Sequence, residues 1–207
     1  MKLSDYNFHL PDELIAQEPL KRRDQSRLLV LDRSDGQIHH LDFVDIVKLI
    51  RPADVLIVNE TRVFPARLYG VRSDTGGKVE VLLIKQAAEG RWLVMGKPAR
   101  ALQVGRKLTF AGGELEAEVT ARREDGRVEL DFAVKDITSI LNEIGEIPLP
   151  PYIRRPPTEQ DEERYQTVFA RQQGAIAAPT AGLHFTDVVM EDLRRAGTGI
   201  QPILLHV

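Results

Sequence analysis

Between residues 175 and 186 the chain reads AIAAPTAGLHFT, an uncharged run in which His184 is the one side chain able to exchange a proton near neutral pH. Thr186 closes the run as an expected helix N-cap before TDVVMEDLRRAG, so backbone N–H groups approach the positive end of a helix there. Pro179 and Thr180 open a stiffened turn, and Ala181 and Gly182 leave room for close approach by a ligand. A lone histidine among apolar residues is usually a core residue bonded to backbone. Small neighbours weaken that reading here, because they pack little around the ring. The loop is therefore a candidate ligand contact.

A second candidate is NETRVFPARL at 59–68, which follows the apolar run DVLIVN. If that run is a strand buried on both faces, Asn59, Glu60, Thr61 and Arg62 sit at its carboxyl end, where open α/β sheets bind ligands. Turn chemistry between two domains accounts for the same residues equally well. Other motifs carry less. TGGK at 75–78 lacks the spacing of a phosphate loop and reads as a hairpin turn. His39 and His40 face opposite sides of any strand, and the five histidines are scattered, so no metal site is expected. The absence of cysteine excludes disulfides, thiolate zinc sites and cysteine nucleophiles.

The elements that must position these residues are legible in outline. PDELIAQEPL starts like a helix that Pro19 stops; RLLVLDRSDGQIHHLDF reads as strand, turn, strand; and Asp42 can cap a helix through Ile50. From Thr61 to Phe132, glycine turns separate short alternating runs, the pattern of an antiparallel barrel or sandwich. Lys135–Gly145 returns to helical spacing with Gly145 as its stop, and the proline-rich IPLPPYIRRPP is extended and stiff. TEQDEERYQTVFARQQG and TDVVMEDLRRAG read as helices, and GIQPILLHV as a strand. Mixed α/β flanks around an all-β middle make the middle an insertion.

Charge is uneven along the chain. The formal net charge is −3, yet Arg62 to Lys107 holds ten Lys or Arg against three acids, and Glu114 to Glu146 reverses the balance. A local basic field of this kind suits RNA contact, although solvated strand faces explain it more simply. With 43% hydrophobic and 29% charged residues the composition fits a soluble globular chain. No apolar run approaches the roughly 20 residues a membrane helix needs. MKLSDYNFHL lacks an export signal pattern, so a cytoplasmic location without membrane contact is expected.

Taken together, NETRVFPARL, EVLLI, GEIPLPPYI, ERYQTVFA, AAPTAGLHFT and the closing LLHV resemble the S-adenosylmethionine:tRNA ribosyltransferase-isomerase family of queuosine biosynthesis. The blocks span residues 59–207 in the family's order, and ELIAQEPL and SRLLVLDR fit as well. The resemblance implies an α/β domain with an inserted antiparallel β-barrel domain. Residues 1–60 and 147–207 would form the discontinuous α/β domain and 61–146 the barrel. It also implies transfer and isomerisation of the ribosyl moiety of S-adenosylmethionine onto 7-aminomethyl-7-deazaguanine at the tRNA wobble position. Epoxyqueuosine-tRNA would form, with release of adenine and methionine, needing no metal and no cofactor beyond that co-substrate.

Such chemistry needs one positioned base and one acid. His184 is the first candidate and Glu60 the second. Asn59, Thr61, Arg62, Pro179, Thr180, Ala181 and Gly182 are the expected substrate contacts, with Arg62 able to hold a phosphate or the methionine carboxylate. Arg72, Arg91, Arg100, Arg154 and Arg155 are the expected tRNA contacts, and Tyr69 or Trp92 could stack on a base. Family members continue beyond LHV, first into a glycine-containing loop, and a monomer is expected of the complete protein. Lacking that C-terminal part, the 207 residues would keep a folded barrel beside a weakened α/β domain. A non-catalytic tRNA-binding module or an inactive fragment is the alternative, and S-adenosylmethionine binding would distinguish it.

Overall fold

The computed structural model describes residues 2–206. Its first half of mixed structure begins with an antiparallel hairpin, β1 (Arg27–Leu31) and β2 (Ile38–Asp42). A short helix α1 (Ile46–Leu49) follows a 3-10 turn in which the Asp42 and Asp45 side chains cap reciprocally. Then come β3 (Val55–Asn59) and β4 (Thr61–Val63).

The middle of the chain forms the expected barrel. Its strands are β5 (Arg67–Arg72), β6 (Lys78–Ala88), β7 (Arg91–Lys97), β8 (Lys107–Phe110), β9 (Leu115–Arg122) and β10 (Val128–Phe132). They close in the order β10-β7-β6-β5-β8-β9, every pair antiparallel. Alternation dictates which side chains fill it: Val79, Val81 and Leu83, Leu115, Ala117 and Val119, and Val128, Leu130 and Phe132 are all buried. Closure leaves no free edge among these strands. At Gly70 any Cβ would lie 2.5 Å from the Phe110 ring, so only glycine lets β5 and β8 approach. Gly126, with φ +85, makes the left-handed turn from β9 to β10.

Beyond the barrel lie α2 (Thr138–Ile144), α3 (Glu159–Arg164), β11 (Gln172–Ala175), α4 (Asp187–Arg195) and β12 (Gly199–Ile203). β11 pairs in parallel with β4, and β12 in parallel with β3. The chain thus leaves this layer through β4 and returns to it beside β4. Arg67 and Glu146 bridge backbone to backbone at the neck (3.1 and 2.9 Å). α4 begins at Thr186, whose side chain accepts from the Val189 N–H (3.2 Å), and it buries Val189, Met190 and Leu193 with Phe43, Val58 and Phe185. A smaller cluster of Val63, Ile147, Leu149, Tyr165 and Ala178 joins the proline-rich segment to β4.

Several elements differ from the sequence reading. Thr61–Val63 belongs to the parallel pair, so the barrel strands start at Arg67. β3 is not buried on both faces: Val55 and Ile57, alternate residues on one face, are 60% and 53% exposed, because nothing among the described residues packs over that face. Residues 11–20 form no helix beyond the 3-10 turn Asp12–Leu14, since Leu14 and Leu20 find nothing to bury against. The helix expected over 158–174 ends at Arg164. Past it, Gln166 turns its amide onto Val63, accepting from the backbone N–H (2.9 Å) and donating to the carbonyl (2.8 Å), as a neighbouring strand would. Gly145 ends α2 with an ordinary φ of −82. What requires glycine there is the close backbone of Pro65. No helix among the described residues is long and apolar enough to cross a membrane.

Candidate active site

A cleft of about 540 Å³ opens between the N-terminal segment, the proline-rich loop, α3 and the 3-10 turn Thr180–His184. Its walls carry Arg23, Arg27, Arg155 and Arg164 against Glu18 and Asp161, with Tyr152, Tyr165, Thr180 and His184 between them.

Local sequence explains how each wall is held. Thr158 and Asp161 form a capping box on α3, with the Asp161 carboxylate accepting from the Thr158 N–H (2.8 Å) and hydroxyl (3.0 Å). The Arg155 guanidinium forks onto the same carboxylate at 2.6 and 2.9 Å, and its Nε donates to the Gln17 carbonyl (3.0 Å) beside Glu18 (2.8 Å). Asp161 is therefore held well below the usual carboxylate range, at about 2, chiefly by the Arg155 hydrogen bonds. This clamp ties α3, the proline-rich loop and residues 17–18 into one wall.

Arg23 and Arg164 are different. Arg23 donates to the Gln166 carbonyl (2.7 Å), and Arg164 to the carbonyls of Lys21 (2.8 Å) and Leu20 (2.7 Å). Among the described residues neither forms an ion pair, and the Arg164 Nε is buried without an acceptor. Burial first, and then the nearby Arg164 charge, push Arg23 below its ordinary value. Both guanidiniums hydrogen-bond to neutral carbonyls, and the nearby Glu163 and Asp187 charges offset part of the charge on Arg23; the pair can still receive an incoming carboxylate or phosphate.

His184 ends the 3-10 turn with its ring 5.2 Å from that of Phe43 and tilted 38° to it. Among the described residues its nitrogens have no hydrogen-bond partner, and it lines the cleft with Thr180. Pro179, Ala181 and Gly182 do not line it. The bare face of Gly182 is turned to protein, where a Cβ would lie 2.8 Å from both Phe169 and Thr167. At the N-terminus of α4 the negative partner is Asp24, 2% exposed, which accepts from the Thr186 hydroxyl (3.3 Å) and pairs with Arg22 (3.0 Å).

The residues of NETR lie elsewhere. Asn59 clamps the backbone of Leu205 (2.8 and 3.0 Å), and the Thr61 hydroxyl lies 3.0 Å from His206 Nδ1. Glu60 accepts weakly from Gln172 (3.4 Å) and faces Arg171 (3.8 Å). Arg62 projects to solvent from the middle of β4. None of the four lines the cleft with His184.

Of the basic residues, Arg91 pairs with Asp131 (3.3 Å), Arg154 forks onto Asp12 (2.6 and 2.8 Å) and Arg155 is committed to Asp161. Arg72 lies over Gly77, and Arg100 is exposed without an ion pair among the described residues. Arg67 and Lys97 share Glu80 (3.4 and 2.9 Å), and Arg106 pairs with Asp74 (3.1 Å), so much of the segment's positive charge is neutralised locally. Sequence reasoning missed Arg23, Arg27, Arg164, Tyr152 and Tyr165. The signal was present in the KRRDQSR run and in the blocks PPYI and ERYQTVFA, but Arg23 and Gln166 are 143 positions apart and only folding joins them.

The cleft is built from ELIAQEPL, SRLLVLDR, GEIPLPPYI, ERYQTVFA and AAPTAGLHFT together. A model of the queuosine biosynthesis protein family matches residues 3–207. The chain belongs to that family. An S-adenosylmethionine:tRNA ribosyltransferase-isomerase of Desulforamulus reducens is 44% identical to this queuosine biosynthesis family chain over 208 residues, covering 100% of the chain and 60% of the relative. The crystal structure of S-adenosylmethionine tRNA ribosyltransferase from Thermotoga maritima is 32% identical, with a TM-score of 0.40, covering 98% of this chain and 58% of that one. The chain thus spans about three-fifths of the length of these relatives.

Proposed function

We propose that this chain carries the ribosyl-transfer chemistry its relatives' names describe. The ribosyl moiety of S-adenosylmethionine would pass to 7-aminomethyl-7-deazaguanine at the tRNA wobble position, forming epoxyqueuosine-tRNA and releasing adenine and methionine. One observation carries the proposal: five separate sequence blocks converge on one cleft that offers two guanidiniums hydrogen-bonded to carbonyls, two tyrosines and a histidine without a hydrogen-bond partner among the described residues. Arg23 and Arg164 suit the methionine carboxylate. The tyrosine faces suit a sulfonium cation, which aromatic quadrupoles attract.

The sulfonium acidifies the adjoining C5′ hydrogens, so a base can remove one and set up loss of adenine. The aminomethyl nitrogen must shed a proton before it attacks. His184 is the group in the cleft suited to both transfers. Its position favours it over Glu60, whose carboxylate faces Gln172 and Arg171 outside the cleft. We also infer that the barrel is an insertion in the α/β unit, supported by the exit through β4, the return through β11 and the Arg67–Glu146 neck. We place the reaction in the cytoplasm, on a monomeric protein.

Chromatography of the reaction with suitably modified tRNA tests the proposal. Free adenine is the expected product. S-adenosylhomocysteine in its place, with a methylated tRNA, would refute the reaction. A second test concerns RNA contact by the barrel. Arg100→Ala should lower the slope of log affinity against log salt by about 1, as one lost phosphate contact does. Arg91→Ala should change it less, because Asp131 already neutralises that charge. Equal slopes for wild type and Arg100→Ala would make Arg100 a solvated surface charge only.

A further inference from the structure

Gln166 is 6% exposed and does not line the cleft, yet it touches one of the groups that do. The Phe64 N–H donates across the parallel pair to the Ala175 carbonyl (3.2 Å), so the N–H and carbonyl of Val63 point away from β11. The Gln166 amide takes both, at 2.9 and 2.8 Å. A primary amide presents a donor and an acceptor side by side, and a flipped amide would set its NH2 against the Val63 N–H. The side chain is therefore fixed at two points in one orientation. Val63 is 2% exposed, so without that amide its backbone groups would be left buried and unpaired.

The backbone anchored in this way holds the cleft wall. Through its carbonyl, Gln166 accepts from the Arg23 Nη1 at 2.7 Å. Two residues earlier, Arg164 donates to the carbonyls of Leu20 (2.7 Å) and Lys21 (2.8 Å). Guanidinium–carbonyl bonds thus join residues 20–23 to residues 164–166, and the Gln166 amide ties that pair of segments to β4. An arginine side chain carries large rotamer entropy, and a fixed acceptor removes part of that cost from ligand binding.

We propose that Gln166 is a positioning residue of the cleft: its amide, locked on Val63, holds the carbonyl that aims the Arg23 guanidinium. Reach matters as much as chemistry. Asparagine has the same amide on a side chain one carbon shorter and cannot make both Val63 bonds from the same backbone position. The positioning stands on the hydrogen bonds alone. That Arg23 receives the carboxylate of S-adenosylmethionine rests on the proposed function.

Two quantities test it beside Tm: the Arg23 Nε–H resonance of nitrogen-labelled protein, assigned by its loss in Arg23→Lys, and the Kd for S-adenosylmethionine. In Gln166→Met, and in the milder Gln166→Asn, the resonance should shift and Kd should rise about tenfold, as for one lost contact to a charged group. The change should appear in KM, with kcat nearly unchanged. Arg23→Ala should raise Kd by itself, and Gln166→Met added to it should raise Kd no further, because the effect passes through Arg23. Val119→Ala, in the barrel core, controls for lost stability and should leave the resonance and Kd as they are in wild type. The assignment is overturned if the resonance stays in place in both Gln166 variants, if the two substitutions multiply in the double variant, or if Val119→Ala acts equally. An unmoved resonance with normal adenine release would leave the proposed reaction standing and remove only this role. A shifted resonance in a protein whose wild type does not bind S-adenosylmethionine would keep the positioning and remove the ligand.

Discussion

His184→Gln is expected to lower the rate of adenine release by about 10²–10⁴-fold while Tm changes by only a few degrees. Glutamine keeps roughly the size and polarity of the imidazole but cannot take up a proton near neutral pH. The ring is half-buried, touches Phe43 from one side, and makes no hydrogen bond within the described residues whose loss would unfold the turn. The backbone of that turn is held independently, by Gly182 N–H to the Pro179 carbonyl (2.8 Å) and Phe185 N–H to the Gly182 carbonyl (3.2 Å). Turnover is therefore measured per folded molecule, beside a melting curve. A large fall in Tm with near-normal turnover would make His184 a core residue and move the proton transfer elsewhere.

The other large effect is expected at the clamp behind the cleft. Asp161→Asn should destabilise the protein by about 3 kcal/mol at pH 7, toward the lower end for breaking a buried ion pair. Asp161 is 4% exposed and accepts from Arg155 and from both donors of Thr158. The variant leaves the Arg155 guanidinium without its main partner, though Glu18 at 2.8 Å offsets part of that charge. The pH dependence has a definite sign. A carboxyl held at about 2 when folded, against 3.8 when free, contributes stability that is fully present above about pH 4. That contribution, about 2 kcal/mol, is lost as pH falls through 4 toward 2. Urea unfolding at pH 7, 4 and 2.5 checks both statements: the gap between wild type and variant should shrink at the lowest pH. A gap that is constant across this range would show that the Arg155 fork does not hold Asp161 as described. Because the clamp sets the wall formed by residues 17–18, the variant should also raise KM more than it lowers kcat.

Residue patterns over short distances made much of the molecule legible. The barrel was visible because alternation and glycine turns are local properties: Val128, Leu130 and Phe132 face inward for the same reason in any antiparallel sheet. Thr186 read as a cap, and it is one, since capping needs only the next three residues. The six family-like blocks were also legible, and they pointed to the queuosine biosynthesis family that matches residues 3–207.

Contacts between distant segments were another matter. Nothing in ERYQTVFARQQG says that its helix stops at Arg164; it stops because the Gln166 amide finds Val63, 103 positions away, and pairs with it like a strand. The exposure of Val55 and Ile57 follows from the lack, among the described residues, of a layer packed over the face they share, which no apolar run can announce. The sequence paired His184 with Glu60 because both lay in chemically suggestive runs; the fold puts His184 beside Arg23 and Arg164 and leaves Glu60 facing Gln172. Types, turns and caps are decided by neighbours along the chain. The charge environment of a histidine is decided by whatever segments burial of the Phe43, Val58, Phe185 and Leu193 cluster brings against it, and that is a property of the tertiary structure alone.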